Sequence, residues 1–319
     1  MDLPFATLDV FTNKRLEGNP LAVVRVPMSL RDRLTQPLKQ KIAQEFNLSE
    51  TVFLHDDTSK SGLEARDVNI FTIEEELPFA GHPTIGTAMF VRHHLGGGES
   101  IRSLNTKAGS IGIESSSLGI RAKIPHSAHL HTRTLRDLLS GPEEALVTAG
   151  LHPNPTIRKA ELDAPAFSIV KGMTFVLVRL PSLDLLGRVK ALRLDFKALS
   201  ASLLDEGWRD SFVARYYFVD TEGEKGALKD VRYLRTRMVE LGFEDPATGS
   251  AATALGAYLT ATQERKGTKF QMTQGVEMGR KSVISVETTI GEEGEGQVRE
   301  VYLGGTAVVV MQGTLRVDA

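Results

Sequence analysis

Pro78-Phe79-Ala80-Gly81-His82-Pro83-Thr84-Ile85-Gly86-Thr87-Ala88-Met89-Phe90-Val91 is the stretch on which the fold turns. From Thr84 onward it reads as a helix with small residues on nearly every face. Such a helix has no solvent side, so other structure has to wrap it. Gly86 weakens helical propensity, and close packing against neighbouring backbone is the reason expected for it. A similar start recurs 168 residues later as Pro246-Ala247-Thr248-Gly249-Ser250, followed by a second small-residue helix from Ala251 to Leu259. In both copies an acidic residue stands one or two positions before the proline. A repeat at half the chain length points to duplicated domains, each built around one buried helix.

Working outward, Phe5 to Phe11 and Leu21 to Val26 read as strands separated by a polar turn containing Gly18-Asn19-Pro20. Leu34, Leu38, Ile42 and Phe46 recur every four residues and predict a helix. Pro37 falls near its first turn, where a missing N–H costs little. Asn47-Leu48-Ser49 ends that helix, and strands are expected at Thr51 to Leu54 and Val68 to Ile73. Gly96-Gly97-Gly98 stops the small-residue helix, short strands run to Ile124, and Pro125 to Arg133 is the candidate linker. The second half predicts a helix at Glu143 to Ala149, strands at Ala166 to Val170 and Thr174 to Leu180, and a helix over Ala191 to Leu204. Phe212 to Val219 and Lys229 to Met238 read as extended, with a charged surface loop across Glu222 to Lys229. Gly-rich turns alternate with strands up to Thr306 to Met311.

Bulk properties narrow the function classes. A chain of 319 residues has room for roughly two domains, and 41% apolar with 24% charged residues is a globular profile. The formal charge of -2 and the lack of a basic stripe argue against a nucleic-acid partner. The longest apolar runs suit a buried strand and are too short to span a bilayer, so no membrane partner is expected. There is no cysteine, which excludes disulfides, thiolate metal sites and thiol-based proton transfer. Met1-Asp2-Leu3-Pro4 lacks the pattern of a secretory signal, so the cytoplasm is the default location, with a nuclear share left open.

Helix starts carry the chemistry. Four backbone N–H groups at a helix N-terminus lack internal partners, and with the helix dipole they make a ready site for a carboxylate. Gly81 and Gly249 remove side-chain bulk from those amides. Two such ends facing each other across a domain junction would clamp a small acid. Glu50, between a helix end and an apolar strand, is a candidate general acid/base. His82 is a candidate proton relay or oxygen ligand, and at a helix start it should favour the neutral imidazole. Asp245 and Ser250 complete the candidate set. Each position also has a plain structural reading: a solvated turn for Glu50, a cap or core hydrogen bond for His82, an Asx turn or cap for Asp245, an N-cap for Ser250. Local pattern alone favours those readings. His93-His94 has no tight His/Asp/Glu constellation around it and reads as a solvated helix end. Gly96 to Gly98 lacks the lysine and hydroxyl of a phosphate loop, and Gly242 with Gly249 makes no dinucleotide fingerprint. Ser250 is not in a nucleophile elbow. No cofactor and no metal site are expected.

Five ordered segments now carry a resemblance. They are Asp9-Val10-Phe11-Thr12, Gly18-Asn19-Pro20-Leu21-Ala22-Val23-Val24, Asn47-Leu48-Ser49-Glu50-Thr51, Glu76-Leu77-Pro78-Phe79-Ala80-Gly81-His82-Pro83-Thr84 and Glu244-Asp245-Pro246-Ala247-Thr248-Gly249-Ser250. Together they resemble the PhzF-like phenazine-biosynthesis family within the diaminopimelate-epimerase-like fold. The resemblance implies an α/β (α+β) fold of two pseudo-symmetric domains, each a curled, mostly antiparallel sheet wrapped around a central helix. The expected domains are 1–127 and 128–319, with the last strand a candidate to return to the N-terminal one.

Family members of known activity isomerise a dihydro-hydroxyanthranilate without metal or organic cofactor. Carried to this chain, the resemblance makes Glu50 the principal acid/base, with His82 and Asp245 completing the catalytic set. Gly81, Gly249 and Ser250 would contact the substrate. Related epimerases use paired cysteines, which this chain lacks. The expected function is therefore a cofactor-independent isomerase moving a proton on a small unsaturated, cyclic carboxylic acid. The alternatives are a lyase or tautomerase using the same cleft, and a ligand-sensing or protein-interaction module that keeps the fold without turnover. A homodimer is the family-based expectation. Val239 and Leu241 stand where many relatives have an aromatic residue and a proline, and Ala251-Ala252 replaces a frequent alanine–histidine pair. These departures put the phenazine substrate in question.

Overall fold

In the computed structural model, residues 1–56, 64–95, 98–116, 119–223, 227–240, 242–291 and 298–318 are described. They fall into two units, Met1–Ile124 with Leu303–Ala319, and Pro125–Tyr302.

In the first unit β1 (Asp2–Val10) and β2 (Asn19–Val26) pair antiparallel. Helix α1 (Gln36–Phe46) takes Pro37 in its first turn and stops at Asn47, whose φ of 50° is left-handed and whose N–H bonds the Ala43 carbonyl at 3.1 Å. Asparagine tolerates that conformation, so the chain reverses there. It enters β3 (Thr51–His55), buried at every residue and parallel to β2 with Thr51 opposite Ala22. β4 (Ala65–Phe71) runs antiparallel to β3, and β5 (Glu76–Leu77) folds back on β4 immediately before α2 (Gly81–His94). Antiparallel pairs then join β6 (Ser103–Thr106) to β7 (Gly109–Ser116) and β7 to β8 (Gly119–Lys123). The last strand, Ala307–Arg316, returns to β1 with Asp2 opposite Arg316 and Val10 opposite Ala307.

Helix α2 packs against β1, β2, β3, β8 and the last strand. Residues on every face of it are buried, including Thr84, Ile85, Thr87, Ala88 and Val91. At Gly86 a Cβ would lie 2.6 Å from both Leu21 Cδ2 and Val10 Cγ2, so glycine is what allows the helix to lie on these strands.

The second unit repeats the plan. Its strands are β9 (His129–Leu130), β10 (Ala166–Val170), β11 (Met173–Arg179), β12 (Phe212–Thr221), β13 (Val231–Glu240), β14 (Phe243–Asp245), β15 (Thr268–Gln274) and β16 (Ser282–Ile290). Most neighbours pair antiparallel; β11 with β12 and β13 with β15 are parallel. Between them lie α3 (Glu143–Thr148), α4 (Pro155–Asp163), α5 (Leu183–Gly187), α6 (Phe196–Leu203) and α7 (Gly249–Leu259). Helix α7, buried at Ala251 to Ala257, packs on β10, β11 and β16. The fold is thus a mixed α/β one with largely antiparallel sheets in two pseudo-symmetric units.

Several sequence expectations change. The helix expected over Ala191 to Leu204 starts only at Phe196, where Asp195 caps the Ala198 N–H at 3.0 Å. The expected linker contains β9, with Leu130 opposite Phe167. Helix α4 was not anticipated, although Asn154-Pro155 is a strong start signal. Asn154 Oδ1 accepts from Thr156 N at 3.0 Å and Ile157 N at 3.2 Å. Both small-residue helices begin at their glycine, slightly earlier than their apolar pattern suggested. Gly96, Gly97, Leu241 and the centre of the Glu222 to Lys229 loop lie outside the described residues.

A charged cluster sits in the core of the second unit. Arg215, fully buried, donates to Glu240 Oε2 at 2.8 Å and Oε1 at 3.1 Å, to Glu161 Oε1 at 3.0 Å, and to the Gly150 and Leu192 carbonyls. Tyr217 donates its hydroxyl to Glu161 at 2.6 Å. Each buried charge thus has several partners, which offsets the cost of taking it out of water. Among the described residues, no helix is long and apolar enough to cross a membrane.

Candidate functional site

Three elements of the first unit bring Glu50, His82 and Pro20 together. Glu50 is the last residue before β3, just after the chain has reversed at Asn47. Pro20 lies in β2, the parallel neighbour of β3. His82 is the second residue of α2, held to β1 and β2 by the close approach at Gly86.

His82 Nε2 and Glu50 Oε2 are 3.5 Å apart, with the side chains 7% and 17% exposed. The contact is close enough for an ion pair, yet neither atom is hydrogen-bonded to any protein group. Burial lowers the pKa of His82 below the ordinary histidine value, against opposing effects of Glu50 and the Pro20 carbonyl. The ring is therefore neutral near neutrality, and the pair is not a salt bridge. Its neutrality matches the expectation drawn from the helix start, with desolvation as the leading cause.

Glu50 Oε2 is an acceptor, and neither it nor His82 Nε2 has a protein partner. Buried polar atoms in that state are completed by a bound molecule. Gly81 and His82 also open α2 without a side-chain cap, since the N-cap residue is Ala80. That helix end offers its amides to an anion.

Asp245, Gly249 and Ser250 belong to the second unit. Asp245 ends β14, and its Oδ2 accepts the Thr248 hydroxyl at 2.6 Å. The N-cap of α7 is Thr248, not Ser250, which sits half-buried in the first turn of the helix. Thr248 makes no side-chain cap bond, so this helix end is also uncapped. The neighbouring Glu244 has a structural role: Arg237 grips it through two bonds of 2.7 Å. The turn after β15 presses on the same segment. Gly275 has φ 73°, and a Cβ there would lie 2.7 Å from the Pro246 carbonyl.

Sequence reasoning missed one cluster, His129, His131 and Asp205, the one group of potential metal ligands among the described residues. Its atoms are already engaged. His131 Nδ1 accepts from the Asp205 N–H at 3.1 Å, and its Nε2 bonds Ser168 Oγ at 2.8 Å. His129 Nε2 lies 2.8 Å from Asp205 Oδ2 and its ring stacks on Trp208. The arrangement ties β9 to the end of α6. The pattern His-x-His was its signal, but Asp205 comes from far along the chain. His93 and His94 are exposed at the end of α2.

Residues 8–313 match the profile of the family described as phenazine biosynthesis-like protein. An uncharacterised isomerase of Mesorhizobium japonicum is 34% identical over 96% of each chain. A trans-2,3-dihydro-3-hydroxyanthranilate isomerase of Pseudomonas fluorescens is 31% identical over 98% of each. Among solved structures, a PhzF-family phenazine biosynthesis protein of Bacillus anthracis superposes with a TM-score of 0.72 at 21% identity, covering 99% of this chain and 100% of that one. With the two wrapped helices, their uncapped starts and a match along nearly its whole length, the chain belongs to the PhzF, or phenazine biosynthesis-like, family.

Proposed function

We propose that the protein is an isomerase that moves a proton on a small unsaturated, cyclic carboxylic acid, with Glu50 as the general acid/base. The observation that carries this reading is the buried Glu50–His82 pair, two facing polar atoms without another protein partner. A carboxylate in that setting gains a hydrogen-bond donor when a substrate proton arrives. Glu50 takes a proton from a carbon activated by an adjacent double bond or carboxylate, becoming the neutral acid. The electron pair left behind shifts along the unsaturated system, and the Glu50 proton returns at another carbon. Nothing is gained or lost overall. His82, neutral, holds a polar substrate group at Nε2 beside the reacting carbon. The uncapped amides at Gly81 favour the substrate carboxylate or the charge that develops beside it. In the second unit we assign Asp245, Gly249 and Ser250 a substrate-orienting role. Rigid placement beside one carboxylate supplies proximity for both transfers.

The activity carried by the Pseudomonas fluorescens relative, isomerisation of trans-2,3-dihydro-3-hydroxyanthranilate, is the first substrate to test. Turnover followed by NMR in deuterated water reads where deuterium enters. Isomerisation retains the ring substituents and places the migrated hydrogen on the new carbon, as protium when Glu50 returns the proton it took and as deuterium when that carboxyl first exchanges with solvent. Loss of water or ammonia would replace this reading with a lyase. Assembly as a homodimer belongs to the same proposal, and light scattering in solution decides it.

A further inference from the structure

Helix α7 starts with a threonine that does not cap it. Threonine at an N-cap ordinarily accepts from a first-turn amide. Here the Thr248 hydroxyl turns to the Asp245 carboxylate at 2.6 Å instead. The reason lies in Gln274, fully buried at the end of β15.

The orientation of the Gln274 amide is fixed by its partners. Its Nε2 lies 2.8 Å from the Asp245 backbone carbonyl, which only accepts, so this atom is the NH2. The second N–H of that group donates to Thr248 Oγ1 at 2.9 Å. Oε1 accepts the Thr248 N–H at 3.3 Å and the Tyr216 hydroxyl at 2.9 Å. Tyr216 has one hydroxyl proton and commits it to Gln274, so the Thr236 hydroxyl, 2.9 Å away, donates to Tyr216. Every bond now has a direction. With Gln274 donating into Thr248 Oγ1, the threonine proton points out to Asp245. The chain runs Thr236 to Tyr216 to Gln274, then Gln274 to Thr248 to Asp245.

We propose that Gln274 and Thr248 are positioning residues that hold the Asp245 carboxyl group in one rotamer through this directed chain of hydrogen bonds. The proposal rests on the assignment of Asp245 to the substrate site. Its physical content, that Asp245 is held through Thr248, stands apart from it. Buried networks with every group satisfied favour a single arrangement. A carboxylate so fixed is ready to receive a substrate donor without first being ordered.

Thr248→Val deletes the hydroxyl at nearly constant volume, and Thr248→Ser keeps it. With trans-2,3-dihydro-3-hydroxyanthranilate as probe, kcat of Thr248→Val is expected to fall between about tenfold and a hundredfold with little change in KM. Thr248→Ser should recover most of the loss. Unchanged kcat in the valine variant, or equal losses in both variants, would overturn the proposal. Crystal structures of Thr248→Val and Gln274→Met ask the question without turnover. An Asp245 carboxylate rotated from its wild-type position supports the link, and an unmoved one sinks it. If the wild type does not turn over the probe, the substrate reading falls while the crystal comparison still decides the positioning.

Discussion

Glu50 Oε2 and His82 Nε2 face each other at 3.5 Å, both buried and neither hydrogen-bonded to the protein. Replacing Glu50 by glutamine separates chemistry from packing. The amide cannot shuttle a proton, so kcat should drop by about a hundredfold or more. Its amide keeps the size and polarity of the carboxylate beside His82, so thermal stability should hold. Calorimetry beside kinetics checks both signs. A Glu50→Gln enzyme with wild-type turnover would remove Glu50 from the mechanism.

Acid should destabilise the fold through its buried histidines. Burial lowers the pKa of His131 to about 4, with the charge on His129 acting the same way and Asp205 opposing. A group whose folded pKa is depressed binds fewer protons when folded, so its stabilisation is complete above its unfolded value. That contribution fades as pH falls from about 6.5 toward about 4. His82 adds a loss of the same sign. For His131, whose side chain is 0% exposed, the stake is on the order of 3 kcal/mol. Melting temperatures between pH 7 and 4 should decline less steeply in His131→Phe; parallel curves would refute the assignment.

Arg215 holds two buried carboxylates at once. Arg215→Met leaves Glu161 and Glu240 without their cation, and should cost at least about 3 to 5 kcal/mol. Denaturant titration reads this directly. Adding Glu161→Gln and Glu240→Gln to the methionine variant should recover part of the loss, because the orphaned charges are then gone.

Gly86→Ala tests the seating of α2. The added methyl meets Leu21 and Val10 at 2.6 Å, and overpacking of this kind costs about 1 to 3 kcal/mol. Since His82 is carried one turn earlier on the same helix, kcat should fall as well. A destabilised protein with intact kcat would show that the helix start does not follow its middle.

The elements that sequence reading found are those with a local cause. Small residues along Thr84 to Val91 imply a wrapped helix, and four-residue spacing up to Phe46 implies one with a single buried face. Asn47 gives the stop that delivers Glu50 to β3. The shortened α6 and the overlooked α4 turn on single capping side chains, Asp195 and Asn154, that weigh little against an apolar pattern. At the site, Glu50 and His82 were nameable from ordered motifs, but their approach to 3.5 Å depends on β3 and α2 meeting in the fold. Gln274 was illegible for a similar reason. Nothing around it in the sequence marks it, and its role exists only because β15 ends beside Pro246 and Thr248.

The return of residues 307–316 to β1 has a consequence for biosynthesis. The first unit is built from residues made before and after the second, with the whole of 125–302 lying between its two parts in sequence. On the ribosome the second unit is therefore the first whose residues are all available to fold. Meanwhile β1 must wait with one edge exposed, through most of translation, for its partner. A ribosome stalled or a chain cut before residue 307 leaves that edge open to other strands.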